Sequence, residues 1–209
     1  MAVYHGPQCK LCRREGVKLM LRGERCASEK CAMERRPFPP GMRTTKRRRT
    51  STEYNTQLRE KQKIRRMYGV LERQFERYFA AASRAEGVTG ERLLQILELR
   101  LDNIVYRLGF ADSRSQARQL VRHGHITVNG HLNNVPSVMI KAGDTIGWKP
   151  NKEKTEYHKQ LLESIKGKSL PGWLSLDRQK LVATVVSLPT PQDAEAKYEA
   201  KAIVEYYSR

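Results

Sequence analysis

All four cysteines of this 209-residue chain lie near its start, as Cys9, Cys12, Cys26 and Cys31 in a C-x2-C-x13-C-x4-C spacing. Two close thiol pairs joined by a loop suit a tetrahedral metal held by four thiolates. The surrounding residues make such a brace necessary. Leu11, Leu19, Met20, Leu21 and Phe38 are nearly all the large apolar groups of residues 1–50, too few for an independent core. Metal binding would supply the missing folding energy. Zinc is the first expectation, one per chain and structural. A 4Fe-4S cluster on the same four cysteines is the alternative, and unliganded thiols are the bland reading. Glu15, Glu24 and Glu29 lie among the ligands, but four thiolates complete the tetrahedron without them and leave no open position for catalysis.

The same stretch carries most of the charge. The chain holds 40 Lys+Arg and 22 Asp+Glu for a formal net charge of +18, and residues 1–50 alone contribute +10 of it. Such a balance points to a polyanion, nucleic acid before membrane surface, and a small acidic metabolite would not require it. The densest run, Lys46-Arg47-Arg48-Arg49 just after Arg43, repels itself in water and gains a fixed geometry only against an anion. No stretch approaches the ~18 consecutive apolar residues of a membrane span. The N-terminus lacks the apolar centre of a signal peptide. A cytoplasmic chain with no membrane partner and no small-molecule substrate is therefore expected.

Arg35-Arg36-Pro37-Phe38-Pro39-Pro40-Gly41 closes the cysteine module, because three prolines and a glycine preclude helix. Ser51 or Thr52 can cap a helix with Glu53 in its first turn, and Gly69 divides the following apolar stripe into two helices. Arg65 and Arg66 stand on its polar face. They are RNA contacts on one reading, and on the other part of a solvated face paired with Glu60, Glu72 and Glu76. A helix through Leu94–Leu108 ends at Gly109, and Ser113 caps another. His125 to Leu132 alternates around Asn129-Gly130, a hairpin signal. Val138, Ile140 and Thr145–Trp148 read as further strands, Lys152–Lys168 as a helix, Pro171-Gly172-Trp173 as a turn, Leu181–Val186 as a strand, and Asp193–Tyr206 as a last, near-neutral element.

Arg114, Arg118 and Arg122 recur every four residues, so each is displaced by only about 40° on a helix surface. Without intervening acid such a row is self-repelling, whereas guanidinium forks suit phosphates. The row, with Gln119, His123 and His125 on its rim, reads as a nucleic-acid face.

Residues 99–130 resemble a known RNA-binding module. Leu99-Arg100-Leu101-Asp102, Tyr106-Arg107-Leu108-Gly109-Phe110, Ser113-Arg114, Ala117-Arg118-Gln119 and Gly124-His125-Ile126-Thr127-Val128-Asn129-Gly130 look like the S-four module. Beyond it, Arg13-Arg14-Glu15-Gly16, Leu58 through Gly69, Glu72-Arg73-Gln74-Phe75, Trp173-Leu174 and Glu205-Tyr206-Tyr207-Ser208-Arg209 resemble the bacterial small-subunit ribosomal protein S-four family over essentially the whole chain. The four-cysteine version is one of two family variants. Gly41-Met42-Arg43-Thr44 departs from the family's usual Gly-Gln-His-Gly.

The resemblance implies an α+β fold: a metal-braced N-terminal segment, an all-helical domain, and an inserted S-four-type α+β RNA-binding domain with a small antiparallel sheet. Boundaries are expected at 1–50, 51–97 completed by 187–209, and 98–186. It implies a primary binder of 16S rRNA in the 5′ domain, which nucleates assembly of the subunit body. It also implies contact with ribosomal protein S-five, bearing on translational accuracy, and proximity to messenger RNA where it enters the subunit. The expected RNA-binding residues are Arg13, Arg14, Arg43, Lys46, Arg47, Arg48, Arg49, Arg65, Arg66, Arg114, Arg118, Gln119, Arg122, His123, His125 and Asn129. An RNA-modifying enzyme is the second class, but the flanking segments offer no phosphate loop and no nucleophile–base pair. A zinc-finger regulator of DNA is the third, and the full-length resemblance argues against it.

Overall fold

The structure is a computed structural model that describes residues 4–41, 52–152, 154–195 and 199–208. The chain divides into two compact units, Met1–Leu93 with Ala196–Arg209, and Leu94–Glu195. The second is thus inserted into the first, and the fold class is α+β.

The first unit is helical. Three short helices follow: α1 (Gln8–Glu15) carries Cys9 and Cys12, α2 (Glu24–Ala27) carries Cys26, and Cys31 stands at the start of α3 (Ala32–Arg35). α4 (Glu53–Met67) begins at Thr52, whose hydroxyl accepts from Asn55 N–H at 3.4 Å. It ends before Gly69, which takes the left-handed φ of 63° that a side chain resists. α5 (Glu72–Arg84) follows, and α6 (Thr89–Glu98) leads into the second unit. The last helix of the chain, introduced below as α10, returns to pack on α4. Ile64, Met67, Tyr68, Val70, Phe75 and Ala82 are buried with Ile203. Phe79 stacks on Tyr207 with ring centres 4.4 Å apart.

The N-terminal segment is tied down by ions as well as by apolar burial of Leu19. The Glu15 carboxylate at the end of α1 is fully enclosed and pairs with Arg66 and, at 3.2 Å, with Arg59, both from α4. Arg13 Nε donates to the Phe38 and Arg36 carbonyls at 3.0 Å while its guanidinium lies over the Phe38 ring. Glu15, set aside in the sequence as redundant to the thiols, is therefore an anchor of this segment.

The second unit packs two helices against a sheet. α7 (Leu101–Arg107) and α8 (Arg114–Arg122) precede β1 (Ile126–Val128), β2 (His131–Leu132) and β3 (Thr145–Trp148). α9 (Glu156–Ser164) separates these from β4 (Leu174–Asp177) and β5 (Val182–Val185). The strands run β2-β1-β3-β5-β4, every pair antiparallel. Val128, Ile146, Ala183 and Leu176 align across one face. Ile126, Ile146, Trp148, Ala183 and Val185 join Leu101, Ile104, Val105, Leu108, Phe110, Ala117 and Val121 in one core. The chain then leaves this unit through a 3-10 turn at Pro191–Asp193, and α10 (Ala200–Tyr207) completes the first.

Several boundaries differ from the sequence expectations. Val138 and Ile140 belong to no strand, and only an isolated bridge joins Met139 to Arg100. The expected helix over 152–168 is regular only over Glu156–Ser164, between two 3-10 turns. β4 follows the expected Pro171-Gly172-Trp173 turn, in a stretch for which the sequence suggested no element. Residues 187–195 join the second unit, not the helical one, because Asp193 and Glu195 bond to Arg107, Tyr106 and Arg114.

Candidate nucleic-acid interface

The arginine row of α8 is not a uniform outward face, which corrects the sequence reading. Arg114 and Arg118 are only 7% and 8% exposed. Arg114 Nε donates to Asn103 Oδ1 at 2.8 Å, Nη2 lies 2.9 Å from Glu195, and the guanidinium sits 4.5 Å from the centre of the Tyr106 ring. Arg118 reaches Asp102 at 3.4 Å, and Asp102 also takes a bidentate pair from the fully buried Arg100 at 2.7 and 3.0 Å. The physical reason lies in the helical drift of about 40° per step. Over two steps the row turns from the interior, where carboxylates from α7 and the departing chain neutralise it, out to water at Arg122. The solvent face of α8 is Ser115, Gln119, Arg122 and His123, spaced by four, three and one.

The hairpin after α8 forms as its Asn-Gly predicts. Asn129 and Gly130 both take positive φ, 51° and 79°, the pattern that matches strand twist. The Asn129 side chain is spent within the fold: it donates to Asp144 Oδ1 and accepts from Thr145 N–H, each at 2.8 Å. The exposed Asn129, expected as an RNA contact, thus holds the turn. The two donors to Asp144, Asn129 and the Lys141 N–H, hold that carboxyl below its ordinary range. Gly124 takes a left-handed φ of 69°, which a side chain resists, and it lies in van der Waals reach of the Leu132 side chain. The hairpin thus closes over the end of α8.

His125 covers Trp148, ring centres 5.3 Å apart, in a cluster with Phe110, Tyr157 and His158. Burial, with the charge of Lys152 and of His123 behind it, lowers its pKa, so it offers a neutral ring at neutral pH. Lys152, and Lys149 whose N–H donates to the His125 carbonyl at 2.8 Å, were not singled out in the sequence. Lys149 directly follows the strand ending in Trp148 and Lys152 closes the 3-10 turn after it, a basic cluster legible in the sequence.

In the first unit Arg65 and Arg66 are both half-buried and ion-paired, Arg65 as the solvated-face alternative expected and Arg66 with a carboxylate outside that alternative. Arg65 pairs with Glu72 at 3.2 Å and Arg66 with Glu15. Arg13 is occupied as described, while Arg14 is exposed. Arg43, Lys46, Arg47, Arg48 and Arg49 lie outside the described residues. The structure therefore brings together Gln119, Arg122 and His123 as an open face beside His125, and diverts Arg114, Arg118 and Asn129 into support of it.

Cys9, Cys12, Cys26 and Cys31 line one pocket with Leu21, Arg22 and Met33. All but Cys9 are buried, and Arg22 N–H donates to Cys26 Sγ at 3.3 Å. Burial pushes the Cys12 thiol up. A backbone hydrogen bond at Leu19 opposes this, and the charges of Cys26, Cys9 and Cys31 add to it. The four thiols thus converge, and their chemistry fits a thiophilic cation. Among the described residues, however, no three His, Cys, Asp or Glu side chains stand in a metal-holding arrangement.

Comparison with known proteins agrees with this geometry. The family of the ribosomal protein S4/S9 N-terminal domain matches residues 3–98, and the S4 domain matches residues 99–146. The small ribosomal subunit protein uS4 of Thermus thermophilus is 53% identical over 209 residues, covering 100% of both chains. The chain belongs to the ribosomal protein S4 family. Its counterparts in Halothermothrix orenii and Dictyoglomus turgidum are 52% and 54% identical, again over 100% of both chains. The S4 domain match covers α7, α8 and the hairpin, the elements that build the open face. Among the described residues no helix is long and apolar enough to cross a membrane.

Proposed function

We infer that this chain is a structural constituent of the small ribosomal subunit, bound to 16S rRNA in the cytoplasm, and not an enzyme. Full-length similarity to uS4 proteins carries the reading. The exposed edge of α8, Gln119, Arg122 and His123 beside the hairpin, is where this unit meets RNA. Recognition rests on shape and phosphates more than on base edges. Arg100, Arg114 and Arg118 hold that edge by pairing with Asp102, Asn103 and Glu195. The Arg43 and Lys46–Arg49 run adds further phosphate contacts through its charge. Binding is early, in the 5′ domain, and nucleates the subunit body. Ribosomal protein S-five docks on the near-neutral C-terminal part and messenger RNA passes near the basic N-terminal part, two partners that rest on the family resemblance.

Cys9, Cys12, Cys26 and Cys31 hold one zinc ion. It supplies a cross-link between α1 and the α2–α3 segment bearing Cys26 and Cys31, in a part of the chain otherwise short of apolar core. Elemental analysis of anaerobically purified protein reads one zinc per chain. Iron with acid-labile sulfide would establish the cluster instead, and neither metal would remove the brace. Footprinting on full-length 16S rRNA tests the main reading. Protection confined to the 5′ domain, lost with Arg122→Glu, supports it, and scattered protection reduces the chain to a generic polycation.

A further inference from the structure

The part of the chain after residue 150 reads as nearly neutral, but its charge is concentrated. Between Ile165 and Lys180 stand Lys166, Lys168, Arg178 and Lys180 against Asp177 alone. The fold gathers these residues from two segments. Arg178 Nη1 donates to the Lys166 carbonyl at 2.8 Å and Nη2 to the Lys168 carbonyl at 3.1 Å. The β4–β5 turn is thereby bound to the 3-10 turn that ends α9. The turn itself is rigid. Asp177 Oδ1 accepts from Gln179 and Lys180 N–H at 2.9 and 3.2 Å, and Leu181 takes a left-handed φ of 49°.

The charges at this edge are not cancelled within the chain. Asp177 spends its carboxylate on the turn, and Lys168 pairs with Asp112 at 2.9 Å. Lys166, Arg178 and Lys180 are exposed, and among the described residues none of them forms an ion pair. Arg178 bonds only to carbonyls, which leaves its positive charge in place while fixing its position. The result is two lysines held on rigid turns on either side of a fixed guanidinium. The edge lies outside both stretches matched to the family, 3–98 and 99–146.

We propose that Lys166, Arg178 and Lys180 form a second RNA-backbone contact, separate from the exposed edge of α8. Arg178 is its positioning residue, and the two lysines are point charges for phosphates. The inference rests on the chain binding 16S rRNA. A polyanion fits better than an acidic protein patch because strongly hydrated lysine point charges held on two rigid turns match the repeating charge of a phosphate backbone.

The test uses the full chain and 16S rRNA, with affinity measured across a salt series for wild type, Lys166→Glu with Lys180→Glu, and the milder Lys166→Gln with Lys180→Gln. Each neutralised phosphate contributes about 0.7 to 0.9 to the slope of log affinity against log salt. The double Gln variant should lower that slope by roughly 1.5 and weaken binding about thirtyfold near 0.1 M salt. The Glu pair should lose more. Circular dichroism should be unchanged in both, since the bonds at this edge use the lysine backbone and not the side chains. Wild-type slope and affinity in both variants would overturn the second contact while the rRNA reading stands. Failure of wild type to bind 16S rRNA would instead overturn the reading beneath it. Normal binding to naked rRNA with poor incorporation into subunits would assign the edge to a protein neighbour and also defeat the proposal.

Discussion

Gly90 lies in the first turn of α6, and a methyl group added there would meet the Ala200 Cβ at 2.7 Å and the Ala200 backbone at 3.7 Å. Two effects of opposite sign compete in Gly90→Ala. Alanine gains up to about 1 kcal/mol over glycine within a helix, less near its start. Against this, methyl carbons at rest stand about 3.5–4.0 Å apart, so the helices must separate by about 1 Å. Neither alanine has a rotamer with which to yield. Overpacking of this kind costs about 1–3 kcal/mol. The strain wins, and the net loss should be about 1–2 kcal/mol. For a unit of this size that lowers Tm by roughly 5–15 °C. Thermal unfolding of the full chain followed by circular dichroism reads it. Ala200→Gly in the Gly90→Ala background removes the obstructing methyl, so the two substitutions should couple favourably by about 1 kcal/mol or more. A Gly90→Ala variant that melts at or above wild type, or a pair that is simply additive, would refute the close approach of α6 and α10.

Three further outcomes follow from the second unit. Asp144 is held below its ordinary pKa by Asn129 and the Lys141 N–H, so it stabilises the fold above the unfolded carboxyl's range and loses that contribution as pH falls through its folded value. The stability gap between wild type and Asp144→Asn in urea titrations should therefore be present at neutral pH and vanish in strong acid. A gap independent of pH would contradict this. His125 has the opposite chemistry and the same direction. Its lowered pKa means the fold resists protonation, so acidification below the ordinary imidazole range destabilises it. Its NMR titration should have a midpoint below that of a free imidazole, and a raised midpoint would show a carboxylate partner instead. The Tyr106 phenol is pushed up to about 12 by burial and then by its bond to Glu195. Glu195→Gln should bring its NMR titration part of the way back, leaving the share due to burial, and no change would mean that the 2.5 Å hydrogen bond is not formed in solution.

Local signals foretold the local structure well. Thr52 and Ser113 cap the helices they were expected to cap, Gly69, Gly109 and Gly124 take left-handed backbone at helix ends, and Asn129-Gly130 makes the hairpin turn. The partners of charged groups were not legible. Arg114 and Arg118 looked unopposed because no acid stands near them on their own helix. Their carboxylates come from Asp102, 16 positions from Arg118, and from Glu195 at the far end of the unit. Glu15 and Arg66 met the same difficulty across 51 positions. β4 escapes notice because Leu174-Ser175-Leu176-Asp177 alternates over only four residues, and its pairing with β5 is what makes it a strand. The cysteine spacing foretold convergence of the thiols, which needs only two short turns, whereas the coordination that would follow depends on an ion that no spacing supplies.

Arg107 sets where the inserted unit begins and ends. Its guanidinium holds Glu98 at 2.7 Å, where the chain comes into the second unit, and the Asp193 carbonyl at 2.9 Å, where the chain departs. One side chain therefore stitches the two ends together. An insert whose ends lie side by side can be spliced into a loop of an unrelated protein without stretching its host. The stitch keeps the two ends of residues 94–195 together, so the unit suits any point at which two chain ends lie adjacent.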